Sequence, residues 1–205
     1  MIERLAEQLS RPDPQLPGAA AQFRMAHGGR QDVPPPPEDA RRAAVLALLH
    51  PLGGDTHLLF IQRTSPPGDR HGGQISFPGG SAEPADESPA FTALRETEEE
   101  VGVPAGDVRL LGELTPLYIP VSNFLVNVFV GYADPLPALR PQASEVARTL
   151  QLPLAAFADP ANRRLLDRKL PGGLLLREVP HYVVNGEEIW GATAMMVSEL
   201  VAVGR

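Results

Sequence analysis

The stretch GGSAEPADESPAFTALRETEEEVGV, residues 79–103, constrains this chain more than any other. A glycine pair and an acidic loop lead into Arg95, Glu96, Glu98, Glu99 and Glu100, within a segment that carries helix signals at both ends. Ser88 can accept from the first free backbone N–H groups, Pro89 takes the first helical position, where a missing donor costs nothing, and Gly102 ends the run. These signals predict a helix over about 89–101. At about 100° per residue, Glu96, Glu99 and Glu100 share an arc of roughly 100° opposite Phe91, Leu94 and Val101. One face is expected to bind and the other to pack. Glu98 projects among the apolar positions, at the rim of the packed face or on an irregular turn.

Three carboxylates on one helical face repel at i,i+3 and i,i+4 spacing unless a cation neutralises them. All-oxygen ligation suits Mg²⁺ or Mn²⁺, and Mg²⁺ typically bridges carboxylates to substrate phosphates. A solvated acidic face is the alternative that a charge run alone leaves open.

With 205 residues, 43% of them hydrophobic, the chain can build one substantial core. A net charge of −7 disfavours nucleic acid or an anionic membrane as the main partner, so a phosphate-bearing small-molecule substrate would be bound through metal. The absence of cysteine excludes disulfides, thiolate metal sites and a cysteine nucleophile. No stretch approaches 18 apolar residues, and the expected location is the cytoplasm. Oligomeric state is not encoded in any feature of the sequence.

The division expected along the chain is an N-terminal helix and proline-rich arm over 1–40, then one domain over 41–205. Apolar positions 2, 5, 6 and 9 make a short amphipathic helix, and the proline-rich residues 11–40, with Pro34–Pro37 in a row, read as an extended connection. That run fits a rigid linker or an SH3-type ligand. AAVLALL (43–49) and HLLFIQ (57–62) read as paired buried strands, followed by strands near 75–77, 108–117, 124–132 and 148–152 and a short helix at 154–157. Residues 174–176 and 179–184 read as a hairpin pair, Asn185–Gly186 as a turn into a strand at 187–190, and 192–203 as the last helix. The pattern predicts a mixed sheet covered on both faces.

Gly80, an acid at Asp86 or Glu87, and Arg95-Glu96-Thr97-Glu98-Glu99-Glu100-Val101-Gly102-Val103 resemble the Nudix box, Gx5Ex7REUxEExGU, with U aliphatic. Thr97 stands where the box has an aliphatic residue, and the interval from Gly80 to Arg95 is one residue longer than the pattern. The leading acid is therefore Asp86 counted from the glycine, or Glu87 counted from the arginine. The resemblance, strongest over 57–103, implies an α/β Nudix-type α/β/α sandwich with a mixed sheet and an N-terminal extension. It also implies hydrolysis of a nucleoside diphosphate derivative with Mg²⁺ or Mn²⁺. Glu96, Glu100 and Glu99 would be metal ligands, with Glu99 as ligand or water-orienting base and Arg95 holding the carboxylates in register. A surface ion pair is the alternative for Arg95, and a tight turn for Gly79 and Gly80.

Upstream, Arg63-Thr64-Ser65 and the run from Arg70-His71-Gly72-Gly73 to Phe77-Pro78-Gly79-Gly80 look like the extra signature of the coenzyme A pyrophosphatase branch, Arg-x3-Gly-x3-Phe-Pro-Gly-Gly. Gly73 and Phe77–Gly80 fit, Asp69 occupies the arginine position, and Arg70 comes one place late. The extra residue in the box and Ile189-Trp190-Gly191-Ala192-Thr193-Ala194 also look like this branch. The implied reaction gives 3′,5′-ADP and 4′-phosphopantetheine or its acyl form, with Arg63, Arg70, His71, Gly79 and Gly80 on the substrate. Arg63 is equally a strand-end charge, and His71 a structural histidine. Trp190 is expected to pack the last helix rather than stack on adenine. ADP-ribose or NADH is the alternative substrate, and a silent Nudix-fold binding protein a remote one. Glu145, Glu187 and Glu188 are unranked candidates for a general base outside the box.

Overall fold

The computed structural model describes residues 2–11, 13–29, 35–65, 72–170 and 173–205. Among them are helices α1 (Ile2–Leu9), α2 (Gly18–Gln22), α3 (Pro89–Val101), α4 (Leu154–Ala158) and α5 (Gly191–Val203). The strands are β1 (Arg41–Leu52), β2 (Asp55–Arg63), β3 (Ile75–Ser76), β4 (Gly79–Ser81), β5 (Arg109–Ile119), β6 (Phe124–Tyr132), β7 (Val146–Pro153), β8 (Arg163–Lys169), β9 (Leu175–Val184) and β10 (Glu187–Trp190).

The main sheet runs β3-β2-β1-β6-β5, with β4 added to β1 and β7 to β2; a smaller sheet runs β10-β9-β8. Among the described residues only β1 and β6 are parallel, in register from Arg41↔Phe124 to Leu49↔Tyr132. The continuous apolar runs of β1 and β2 follow from burial on both faces, which removes the alternation of a half-exposed strand. Ala44, Leu46, Leu48, Leu59 and Ile61 pack toward α3 with Ala93 and Val101. Ala47, Leu49, Leu58 and Phe60 face the other way, into a core shared with Leu5, Phe77, Val197 and Leu200. The expected mixed sheet with helices on both sides is what forms.

Two expectations are corrected. Residues 174–184 are no hairpin: β9 is a single strand, kinked at Glu178 (φ 50°), between β10 and the unforeseen β8. Asp167 fixes the kink, accepting from Glu178 N at 3.1 Å and pairing with Arg177. The segment after α1 is not extended throughout either, because it folds into α2 and buries Ala21 and Met25. Glu199 of α5 explains the docking: its carboxylate, wholly buried, accepts from Gly18 N (3.1 Å), Gln22 Nε2 (2.8 Å) and Thr115 N (3.2 Å). In the polyproline run, Pro34 lies outside the described residues, and Pro35, Pro36 and Pro37 are exposed.

Candidate active site

Helix α3 forms where its local signals put it. Ser88 Oγ accepts from Phe91 N (3.1 Å), Pro89 opens the first turn, and Gly102 closes the helix at φ 73°. Its packed face differs from the wheel projection. Ala93, Thr97, Glu100 and Val101 are buried against β1, while Phe91 is 44% exposed, because the sheet sits one residue row round from the most apolar stripe. Thr97 can replace an aliphatic residue there because its hydroxyl donates to Ala93 O (2.6 Å) and leaves no polar atom unpaired. Glu98 sits outside, accepting from Ala105 N (3.3 Å).

Asp86, not Glu87, is the acid that meets Arg95. The pair is bidentate, Nε to Oδ1 at 2.9 Å and an Nη to Oδ2 at 3.0 Å, and Oδ2 also accepts from Glu83 N (2.9 Å) and Thr92 Oγ1 (2.8 Å). Glu87 is exposed. The donors around Asp86, Arg95 foremost, hold its carboxyl far below the usual range, and the same pairing raises the arginine. Arg95 also donates to Glu96 Oε1 and Glu99 Oε2, both at 3.1 Å, so one guanidinium sets the geometry of three carboxylates.

Glu100 is 2% exposed, and its Oε2 accepts from Gly79 N at 2.8 Å. Burial pushes its carboxyl up to about 7; the Gly79 N–H and Arg63 oppose this, and the Glu96 and Glu145 charges add to it. Glu96 is raised by burial too, with Arg95 opposing and Glu99 and Glu145 adding. Glu145 is exposed on a loop tied to the end of α3 by Gln142 N to Glu100 O (2.9 Å) and to β2 by Thr64 N to Glu145 O (2.8 Å). Of the three candidate bases, it alone is near these acids: Glu187 is paired with Arg148 (2.7 Å) and Glu188 with Arg168 (2.8 Å).

Gly79 is required sterically by the backbone beside it, and Gly80 leaves the space that the Glu96 side chain fills. A Cβ on Gly79 (φ 145°) would lie 2.4 Å from Ala44 O, and one on Gly80 would lie 2.5 Å from the Glu96 carboxylate. Among the described residues no three acids or histidines converge as a ready-made metal cluster, since Arg95 draws Glu96 and Glu99 to itself. The donor set nevertheless fits a hard divalent cation: oxygen ligands only, two of them desolvated and lifted toward neutrality, with a third acid close by.

Arg63, at the end of β2, is half-buried, and its charge reaches Glu100. Arg70, His71 and Asp69 lie outside the described residues. Gly73 is held by donating to Arg63 O (3.1 Å) and accepting from Gln62 Nε2 (3.1 Å). Trp190 is half-buried, with the Arg168 guanidinium 4.7 Å from its ring centroid and His181 stacked at 6.0 Å. Next to it, Thr193 Oγ1 donates to Ile75 O (3.1 Å), joining the start of α5 to β3.

The NUDIX domain model matches residues 40–169. The mitochondrial coenzyme A diphosphatase NUDT8 of Homo sapiens is 37% identical over 75% of this chain and 65% of its own length. The uncharacterized Nudix hydrolase NudL of Photorhabdus laumondii is 36% identical over 82% of this chain and 89% of its own. Among solved structures, the Nudix hydrolase RenU of M. smegmatis superposes with a TM-score of 0.52 at 20% identity, covering 80% of this chain and 85% of that one. No helix of the described residues is long and apolar enough to cross a membrane.

Proposed function

This chain belongs to the Nudix hydrolase family, and we propose that it is a pyrophosphohydrolase of the coenzyme A diphosphatase branch that uses Mg²⁺ or Mn²⁺ to hydrolyse the diphosphate of coenzyme A and its thioesters. The products are 3′,5′-ADP and 4′-phosphopantetheine or its acyl form. The observation that carries the reaction class is the buried Glu100 beside Glu96, Glu99 and Glu145 at a steric gap kept open by Gly80. The substrate rests on the 37% identity to the human coenzyme A diphosphatase and on the Phe77–Gly80 signature.

Glu96, Glu100 and Glu99 would hold the cation, which when bound neutralises the diphosphate and lowers the pKa of water. Arg95, locked by Asp86, keeps Glu96 and Glu99 in register. Gly79 N–H orients the Glu100 carboxylate toward the site and fixes its rotamer. Arg63 brings a guanidinium to the same side, suited to a phosphate oxygen. Glu145, exposed and with a charge that acts on both Glu96 and Glu100, would take a proton from the attacking water.

Incubating the protein and Mg²⁺ or Mn²⁺ with coenzyme A, acetyl-coenzyme A, ADP-ribose and NADH, with products read by mass spectrometry, tests the reading. Release of 3′,5′-ADP is expected. Rapid ADP-ribose cleavage with intact coenzyme A would overturn the substrate and leave the reaction class. Glu145→Gln should lower kcat by roughly 10²-fold or more at unchanged Tm, since the side chain is exposed.

A further inference from the structure

A second concentration of charge, of opposite sign, lies on the α5 side of the main sheet. Arg24 after α2, Arg163 at the start of β8 and Arg205 after α5 surround a cavity of about 190 Å³. Tyr182, 6% exposed, and Ser198, also buried, line it. In a chain of net charge −7, three guanidiniums on one small cavity are unfavourable unless something balances them. Among the described residues none of the three is ion-paired. Arg163 donates to Arg24 O and Arg205 to Ala158 O (3.1 Å), contacts with neutral carbonyls that fix the side chains without an ion pair. Asp159, the one acid on the rim, caps Ala161 N at 2.9 Å, so the lining carries three positive charges against one negative.

The three arginines come from separate parts of the chain and line one cavity together with the buried Tyr182 and Ser198. Burial raises the Tyr182 phenol, and Ser198 and the positive charges of Arg163, Arg205 and Arg24 oppose that rise. Planar forks reaching one pocket from three parts of the chain match the oxygens of a tetrahedral dianion better than a planar carboxylate.

We propose that the cavity bounded by Arg24, Arg163 and Arg205 is an oxyanion site for a phosphate group, separate from the carboxylates of α3. The ligand is a free phosphate ion or the monoester of a small organic molecule, both of which present the same head. Its occupation would tie the segment after α2 to the end of α5.

The test is a titration of the full chain in EDTA, at ionic strength held constant with NaCl, following Tm and heat of binding. Inorganic phosphate is one probe and glycerol 3-phosphate the other. A saturable rise in Tm is expected with phosphate. Arg163→Gln and Arg205→Gln should each weaken it by about tenfold or more, while Arg177→Gln, which removes an arginine already paired with Asp167, leaves it unchanged. Tighter binding of glycerol 3-phosphate identifies an organic monoester as the source, and equal or weaker binding identifies the free ion; either upholds the site. A rise no larger than the NaCl control, or one that survives in both Arg163→Gln and Arg205→Gln, overturns it. If Arg163→Gln does not fold, Arg205→Gln carries the same reading from the chain end. Glu100→Gln should leave the titration intact, which keeps this result independent of the function proposed for α3.

Discussion

Glu100 and Glu199 are both glutamates on helices, and both are buried almost completely, at 2% and 0% exposure. Their surroundings differ. Glu199 accepts from three donors that come from α2, its N-terminal glycine included, and from β5. Glu100 accepts from one backbone N–H and faces the charges of Glu96 and Glu145, with Arg63 in partial opposition. A fully satisfied buried carboxylate fastens chain segments together; an under-satisfied one among like charges is held ready for a cation. Burial of an acid therefore does not mark a site, and the donor count around it does.

The comparison breaks most visibly in activity. Glu100→Gln should lower kcat on the best substrate by about 10³-fold, while the metal-free protein at pH 8 melts no lower than wild type. A melting loss like that of a Glu199 variant would erase the distinction. Glu199→Ala should cost about 3 kcal/mol, read by urea unfolding, because it removes the acceptor of Gly18 N and Thr115 N and leaves Gln22 Nε2 only its bond to Thr115 O, and turnover per folded molecule should hold. Arg95→Lys loses the bidentate grip on Asp86 and should reduce kcat by about 10–100-fold; recovery at raised Mg²⁺ would show that the arginine acts through the carboxylates it positions.

The smallest effect is in pH. Glu100 has a folded pKa of about 7, above the ordinary carboxylate value, so without metal the native state binds the extra proton. Its contribution to stability is present at low pH and is lost as pH rises through about 7. In EDTA, wild type should therefore fall behind Glu100→Gln between pH 6 and 8, by on the order of 1 kcal/mol. Mg²⁺ should restore wild type alone. A constant gap across that range would mean the carboxylate is not desolvated as drawn.

What the sequence made legible was local. Ser88, Pro89 and Gly102 fix α3 because caps act within one turn, and the apolar runs of β1 and β2 state their own burial. The packed face of α3 was not legible, since a helical wheel does not contain the position of the sheet; Phe91 is the residue that shows it. Choosing Asp86 over Glu87 needed the loop path that turns one acid toward Arg95. The strand β8, RRLLDRK, carries too many charges to read as a strand, and only pairing with β9 makes it one. The docking of α2 depends on Glu199, which lies 181 positions from Gly18 in the chain. Glu145 could be named from the sequence but not ranked above Glu187 and Glu188, because only folding brings its loop beside α3.

Gly79 pairs with Val45 in the sheet but gives its amide to Glu100, and Leu46 N, one residue on in β1, bonds Pro78 O (2.9 Å). A load applied to the Glu100 carboxylate is thus passed through a single peptide to the central strand, with no flexible loop between. Ligand occupancy should then be audible in amide exchange at Leu46, deep in the core, before any surface loop reports it.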